Sequence, residues 1–323
     1  MTLDFQPMRS AVVAVLLAAA AFIAPSAFAQ ADGTIRVVVP TNAGGPLDVT
    51  ARMLATVLAR NMNQTVIVEN RPGASGIIGT EHVVKAPPDG RTMLLATGFV
   101  ASNPVFYKVN YDPLRDLVPV IEMGQMGMLM LVRKDLDARK PADLQRIADL
   151  QKGGLNCGAP PGDFMLGCEQ LKQLLGGAVV TVPYPGVAPA MAALAGGQVD
   201  LVIAPHDAAQ PLVESGRVTA IATMGTKPGM PPFDRLPLAS ETWPGFTVIG
   251  FMGMLVPAGT PQATVTTLHR ELMAAMNEPQ VREFMRARGT PVEEGGPEKL
   301  GRVVAERGAH YRRLAATLGL KQQ

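Results

Sequence analysis

The chain has 323 residues, a formal net charge of +2, 47% hydrophobic and 17% charged residues. That balance excludes global disorder, and basic residues that are scattered rather than clustered exclude a nucleic-acid surface. The length fits about two domains of roughly 150 residues each, while aromatics at 5%, with Trp243 as the one tryptophan, leave few rings for a stacked-aromatic site.

Arg9 precedes an apolar run from Ala11 to Ala24, and Ala27-Phe28-Ala29 has the small-x-small form of a cleavage site. The run falls short of the ~20 apolar residues that span a bilayer. Residues 1–29 therefore read as a secretion signal cleaved after Ala29, leaving Gln30 first. No later segment reads as transmembrane, so a soluble periplasmic protein is expected.

Ile35 to Val39 reads as a buried strand, and Asp48 to Met62 as a helix with Val49, Met53, Leu54, Val57 and Leu58 on one face. Between them lies Pro40-Thr41-Asn42-Ala43-Gly44-Gly45-Pro46-Leu47. This corner places a helix N-terminus at the end of a strand. The first amides of a helix lack partners and its dipole is positive there, which suits a carboxylate. Asp48 either contacts the ligand or caps its helix and orients the loop. Val66 to Val68 is a second strand, followed by the turn-rich Glu69-Asn70-Arg71-Pro72-Gly73-Ala74-Ser75-Gly76. Ser75 reads both as the N-cap of a helix from Ile77 to Lys85 and as a ligand donor. Thr92 to Ala96 is a third strand, with a loop through Thr97, Gly98, Ser102 and Asn103. Strand, helix, strand, helix, strand predicts a parallel sheet with helices on its faces.

After the apolar run Met128 to Val132 and a helix from Pro141 to Gln151, the opening pattern returns. Leu155 to Cys157 is a strand, Gly158 to Asp163 a Gly/Pro loop, and Phe164 to Leu175 a helix. Val179 to Val182 leads through Pro183-Tyr184-Pro185-Gly186 to a helix containing Met191 and Leu194. Leu201 to Ile203 and Val218 to Thr223 are further strands, with the loop Ala204-Pro205-His206-Asp207 after the first. Phe251 to Val256 is apolar again, and the remainder is helical with core-facing stripes, one of which includes Tyr311. Two parallel α/β units thus share one chain, and their facing loops would form a cleft between two lobes.

Cys157 and Cys168 either pair in an oxidising compartment or stand apart as a strand end and a buried helix residue. Two cysteines supply too few ligands for a metal site. No metal, cofactor or catalytic residue is expected. His206-Asp207 beside Ser75 lacks the Gly-x-Ser-x-Gly elbow of a hydrolase, and no Walker loop, HExxH pattern or dinucleotide fingerprint occurs.

The chain resembles the Bug, or TctC-like, family of periplasmic solute-binding proteins that serve tripartite tricarboxylate transporters. The resemblance rests on Val39-Pro40 through Gly44-Gly45-Pro46 and Asp48, on Val68-Glu69-Asn70-Arg71-Pro72-Gly73-Ala74, and on Pro88-Asp89-Gly90, Asn103-Pro104, Tyr111-Asp112-Pro113, Val182-Pro183-Tyr184 and Val256 through Pro261. It implies a two-lobed Venus-flytrap fold, each lobe a mostly parallel sheet flanked by helices, joined by two crossover strands. Lobe 1 would be residues 30–128 plus 253–323, anchoring a carboxylate. Lobe 2 would be residues 129–252, setting selectivity. The implied partner is a membrane permease, and a monomer is expected.

The resemblance places ligand contacts at Thr41, Asn42, Gly44, Gly45, Pro46, Leu47 and Asp48, at Ser75, Gly76, Thr97 and Ser102, and in lobe 2 at Pro161, Gly162, Asp163, Phe164, Tyr184 and His206, with Phe251 on the return strand. Asp163 either meets a cationic ligand group or caps the following helix. Tyr184 either reaches the cleft or packs, and His206 either meets a carboxylate or is an exposed loop histidine. Several positions depart from the family pattern. Pro46 and Leu47 replace a glycine and a hydroxyl, Pro185 replaces a basic residue, Ala204 an aspartate and Phe251 a tryptophan. Each change makes the cleft less polar, so the expected ligand is a carboxylate with an apolar or aromatic body rather than a tricarboxylate. A sensory receptor of the same fold is the alternative, and a hydrolase the remoter one.

Overall fold

The computed structural model of the protein describes residues 33–293, 295–319 and 322. The expected secretion signal and its cleavage site lie outside them. β1 (Ile35–Val39) is buried at four of its five positions, as suits a strand covered on both faces. It turns through Gly44-Gly45 into α1 (Pro46–Met62), where proline at the first helical position costs no hydrogen bond. There follow β2 (Val66–Asn70), α2 (Ile77–Val84), β3 (Thr92–Ala96), α3 (Phe99–Phe106), β4 (Leu117–Met126) and β5 (Met128–Arg133). The second unit continues with α4 (Asp143–Leu150), β6 (Leu155–Ala159), α5 (Asp163–Leu174), β7 (Val179–Pro183), α6 (Val187–Ala195), β8 (Leu201–Pro205), α7 (His206–Glu214), β9 (Val218–Thr223) and α8 (Ala239–Thr242). β10 (Gly250–Pro257), α9 (Gln262–Met276), α10 (Pro279–Ala287) and α11 (Pro297–Leu318) complete the chain.

The strands form two five-stranded sheets, ordered β2-β1-β3-β10-β4 and β7-β6-β8-β5-β9. In each, four strands run one way and one is opposed: β10 in the first sheet, β5 in the second. The fold is therefore α/β and two-lobed, with helices on both faces of each sheet. Apolar clusters line both sheets. One, around Leu54, Met93 and Met254, lies under α1 and α9; another, around Leu144, Leu171 and Ile203, lies under α4 and α5.

Strand pairing shifts the expected lobe boundaries of 128/129 and 252/253. Met128 pairs into the second sheet, while Gly250, Phe251 and Met252 pair into the first. Two segments read as loops are helical. Ser102 and Asn103 lie inside α3, and His206 and Asp207 open α7. α3 reads Phe-Val-Ala-Ser-Asn-Pro-Val-Phe and is largely buried, so it shows no amphipathic period by which a sequence could reveal it.

Candidate functional site: two facing loop edges

β1 is parallel to both β2 and β3, so the loops after Val39, Asn70 and Ala96 share one edge of the first sheet. β6 is likewise parallel to β7 and β8, so the loops after Ala159, Pro183 and Pro205 share one edge of the second. The two edges meet. A Cβ built on Gly162 would lie 3.4 Å from Ser102 Oγ, and one built on Gly98 would run into the carboxylate of Asp163. Ligands in open α/β sheets bind at such carboxyl-end edges.

In the first corner, Thr41 and Asn42 are exposed and Gly44 adopts φ +80, a left-handed conformation that favours glycine. Gly45 precedes α1 in an extended conformation, and Leu47 is buried. Asp48 organises this loop. Its Oδ2 accepts from the Gly44 amide at 2.8 Å and from Arg52 Nε at 3.0 Å, and its Oδ1 accepts from Asn70 Nδ2 at 3.0 Å. Asn70 Nδ2 also donates to the Thr41 carbonyl at 3.2 Å. Burial alone would raise the Asp48 pKa, but the hydrogen bonds from Arg52, Gly44 and Asn70 hold it below the ordinary value. This is the orienting alternative for Asp48. It also corrects one expectation, because the Gly44 amide is already taken by the chain's own carboxylate.

The second corner is backbone-strained. Gly73, Ala74, Ser75 and Gly76 have φ of 125, 45, 56 and 88 degrees, and a non-glycine residue held there costs roughly 1 kcal/mol or more. Asn103 Nδ2 donates to the Ser75 carbonyl at 3.0 Å, and Ser75 Oγ lies 3.5 Å from Tyr107 Oη. Both partners come from the α3 segment. Ser75 is not the helix cap: Gly76 precedes α2, no side chain caps it, and the Gly76 amide donates to the Gly73 carbonyl at 3.0 Å. The ring of Phe99 packs over Gly76, 3.1 Å from where its Cβ would stand. Gly98, between Thr97 and Phe99, thus links this corner to Asp163.

In the second lobe, Pro161 and Gly162 lead into α5. Asp163 makes no helix-capping hydrogen bond, which excludes that alternative. Its side chain is buried and accepts a hydrogen bond from Tyr311 Oη of α11. Burial pushes the Asp163 carboxyl above its ordinary pKa, with Tyr311 and then Arg307 drawing it back. Leu166, one turn on, sits in the first lobe's cluster with Phe251 and Tyr311. Phe251 is thus an interior residue, and Phe164 packs on the second lobe's own core. Cys157 and Cys168 form a disulfide that fastens α5 to β6. Tyr184 is half-buried, with its ring against Gly158 in an apolar cluster.

His206 goes elsewhere. It is buried, edge-on to Phe233 with ring centroids 4.8 Å apart, and its Nε2 lies 3.2 Å from Gln210 Oε1. A Cβ on Gly289 would strike its ring. Burial lowers its pKa. The exposed-loop alternative for His206 therefore does not hold. Next to it, Asp207 pairs with Arg288 at 3.1 Å across the lobes. The sequence reading missed Tyr311, Arg288, Asn103 and Tyr107. Tyr311 carried only the signal of a core stripe.

Two surface hollows of about 320 and 510 Å³ lie away from these edges. One is bounded by Ile35, Asp89 and Thr264 at the opposite end of the first sheet, the other by Arg133, Gly197 and Arg217. Among the described residues, no group of three or more His, Cys, Asp or Glu side chains could hold a metal ion.

The sequence profile of the family described as "Tripartite tricarboxylate transporter family receptor", TctC, matches residues 50–320. Protein BugT of Bordetella pertussis is 30% identical over 299 residues, covering 87% of this chain and 89% of BugT. The structure of the periplasmic binding protein BugD superposes with a TM-score of 0.81 at 32% identity, covering 90% of this chain and 99% of BugD. R. palustris Rpa4515 with adipate superposes with a TM-score of 0.83 at 31% identity, covering 90% of this chain and 98% of that one. With the profile match spanning most of its length and the two-lobed fold shared throughout, the chain belongs to the TctC family of tripartite tricarboxylate transporter receptors.

Proposed function

We propose that the protein is an exported periplasmic solute receptor that binds a small carboxylate with an apolar or aromatic body and delivers it to a tripartite tricarboxylate-type permease. The first lobe would anchor the carboxylate between the Thr41–Asp48 and Ser75–Gly76 corners, and the second would set selectivity. The observation that carries this reading is the meeting of two carboxyl-end loop edges at Gly98, Ser102, Gly162 and Asp163. A structural relative binding adipate supports a carboxylate ligand.

With the Gly44 and Gly76 amides bound within the chain, Pro46 lacking an N–H and the Val49 amide bonded to Gly45, the Leu47 and Asp48 amides of the first turn of α1 would supply the backbone part of the anchor. The apolar preference rests on Leu47, Pro185 and Ala204 standing where the family pattern has a hydroxyl, a basic residue and an aspartate to hold further carboxylates. Native mass spectrometry of the protein as purified, followed by isothermal titration with mono-, di- and tricarboxylates, tests the reading. Tight citrate binding without binding of any monoacid would overturn it. Loss of uptake on deleting a neighbouring permease gene would distinguish transport from sensing.

A further inference from the structure

Four acidic residues are buried among those described: Asp48, Glu122, Asp163 and Asp200. Three have a cation supplied by the chain. Asp48 pairs with Arg52 at 3.0 Å, Glu122 with Lys299 at 2.9 Å and Asp200 with Arg133 at 2.8 Å. Asp163 forms no ion pair among the described residues. Its hydrogen-bond partner is the neutral hydroxyl of Tyr311. A buried carboxylate without a cation is strongly unfavourable, so such groups are normally neutralised or completed by a partner from outside.

Its position says where that partner would sit. Asp163 follows the β6 loop and stands at the meeting of the two edges. One carboxylate oxygen faces Tyr311 and the other faces Gly98, whose neighbour Phe99 covers Gly76. The strained Ser75–Gly76 corner and the lone carboxylate are thus joined through a single phenylalanine.

We infer that Asp163 is the selectivity residue of the second lobe, and that the ligand carries a cationic nitrogen at the end opposite its carboxylate. This rests on the carboxylate-receptor reading above and names the class within it: an ω-amino acid or a cationic-ring carboxylate, not a dicarboxylate. An ammonium group placed against Asp163 converts an isolated buried anion into a charge-assisted pair. A second carboxylate there would set two like charges together in a dry site. Tyr311 holds the Asp163 carboxyl in place and is a positioning residue. The other groups facing Asp163 are Gly98, which opens α3, and, at longer range, Arg307 of α11.

Isothermal titration of the full mature protein with three isosteric acids tests this: 5-aminopentanoate, pentanoate and glutarate. An aromatic trio, 4-(aminomethyl)benzoate, 4-methylbenzoate and terephthalate, covers a bulkier cleft. The amino acid of a trio is expected to bind about a hundredfold tighter than its diacid. Asp163→Asn should abolish that preference, so that the amino acid of a trio binds no tighter than its plain monoacid. Tyr311→Phe, which keeps the carboxylate but releases its hydrogen bond, should reduce the preference only in part, and an unchanged melting temperature of Asp163→Asn guards against a folding defect in that variant. Binding of monoacids or diacids with no binding of the amino acids sinks the assignment of Asp163 and leaves the receptor reading standing. An unchanged order of affinities in Asp163→Asn does the same. If no acid of either trio binds, the receptor reading falls, and this inference with it.

Discussion

Asp48 and Asp163 stand at corresponding places in the two lobes. Each lies in the first turn of a helix that follows a glycine-bearing loop at the carboxyl end of a strand. Their partners differ in kind. Asp48 is satisfied within its own lobe by a backbone amide, an arginine and an asparagine, and so fixes the shape of its loop. Asp163 reaches out of its lobe to Tyr311 and Gly98 and forms no ion pair among the described residues. The same residue type in the same local setting serves one lobe as internal scaffolding and the other as an outward contact. Which job a carboxylate does is decided by what the opposite lobe brings to it.

The helices behind these acids differ too, and the largest expected effect comes from that difference. α5 is tied to its strand by the covalent Cys157–Cys168 link, whereas α1 is held by packing and by hydrogen bonds such as that between Asp48 and Asn70. Replacing both cysteines with serine should cost the second lobe about 2–3 kcal/mol, the loop-closure term for a short bridge. Chemical denaturation followed by a probe in each lobe would show it, and equal loss in both lobes would erase the distinction. Next in size is Gly98→Ala. Its new methyl group would run into Asp163 of the opposite lobe and lie near Tyr311 of its own. Affinity for a carboxylate ligand should fall about tenfold, from overpacking across the lobes, with little change in melting temperature.

Two pH profiles sharpen the contrast further. The folded pKa of Asp48 lies below its unfolded value, so its contribution is present above the unfolded value and is lost as pH falls through the folded one. The folded pKa of Asp163 lies above its unfolded value, so its contribution is full below the unfolded value and is lost as pH rises through the folded one. Asp48→Asn should therefore lower stability near neutral pH, and Asp163→Asn should raise it, each by about 1 kcal/mol. Shifts of the same sign would mean that the two acids do not differ as described. The smallest effect is expected for Ser75→Ala. It removes a 3.5 Å contact with Tyr107 and should change stability by less than about 0.5 kcal/mol, so a loss of binding without a loss of stability would mark Ser75 as a ligand donor.

Much of the fold was legible because parallel strands buried on both faces write themselves as apolar runs. Ile35–Val39 and Val218–Thr223 were read at their observed bounds. The return strand was read one residue short at each end. α3 escaped because a helix that is apolar on several sides has no period. α7 escaped because a proline and a histidine at its start look like a loop. In the site, the glycine corners were legible as turn chemistry. The state of their amides was not, because Gly44 is engaged by a residue four positions on and Gly76 by its own strained turn. Tyr311 was beyond reach of the sequence, since its partner Asp163 is 148 residues away and belongs to the other lobe.

Gly127 alone separates β4 from β5. Its amide donates to the Gly289 carbonyl at 2.8 Å, and its carbonyl accepts from the His206 amide at 2.9 Å. Any swing of one half against the other at this crossing must be absorbed by the torsions of a bolted residue, not spread along a slack tether. A side chain at 127 would press on the Gly289 carbonyl, 3.1 Å from where its Cβ would stand, and one at 289 would strike the ring of His206.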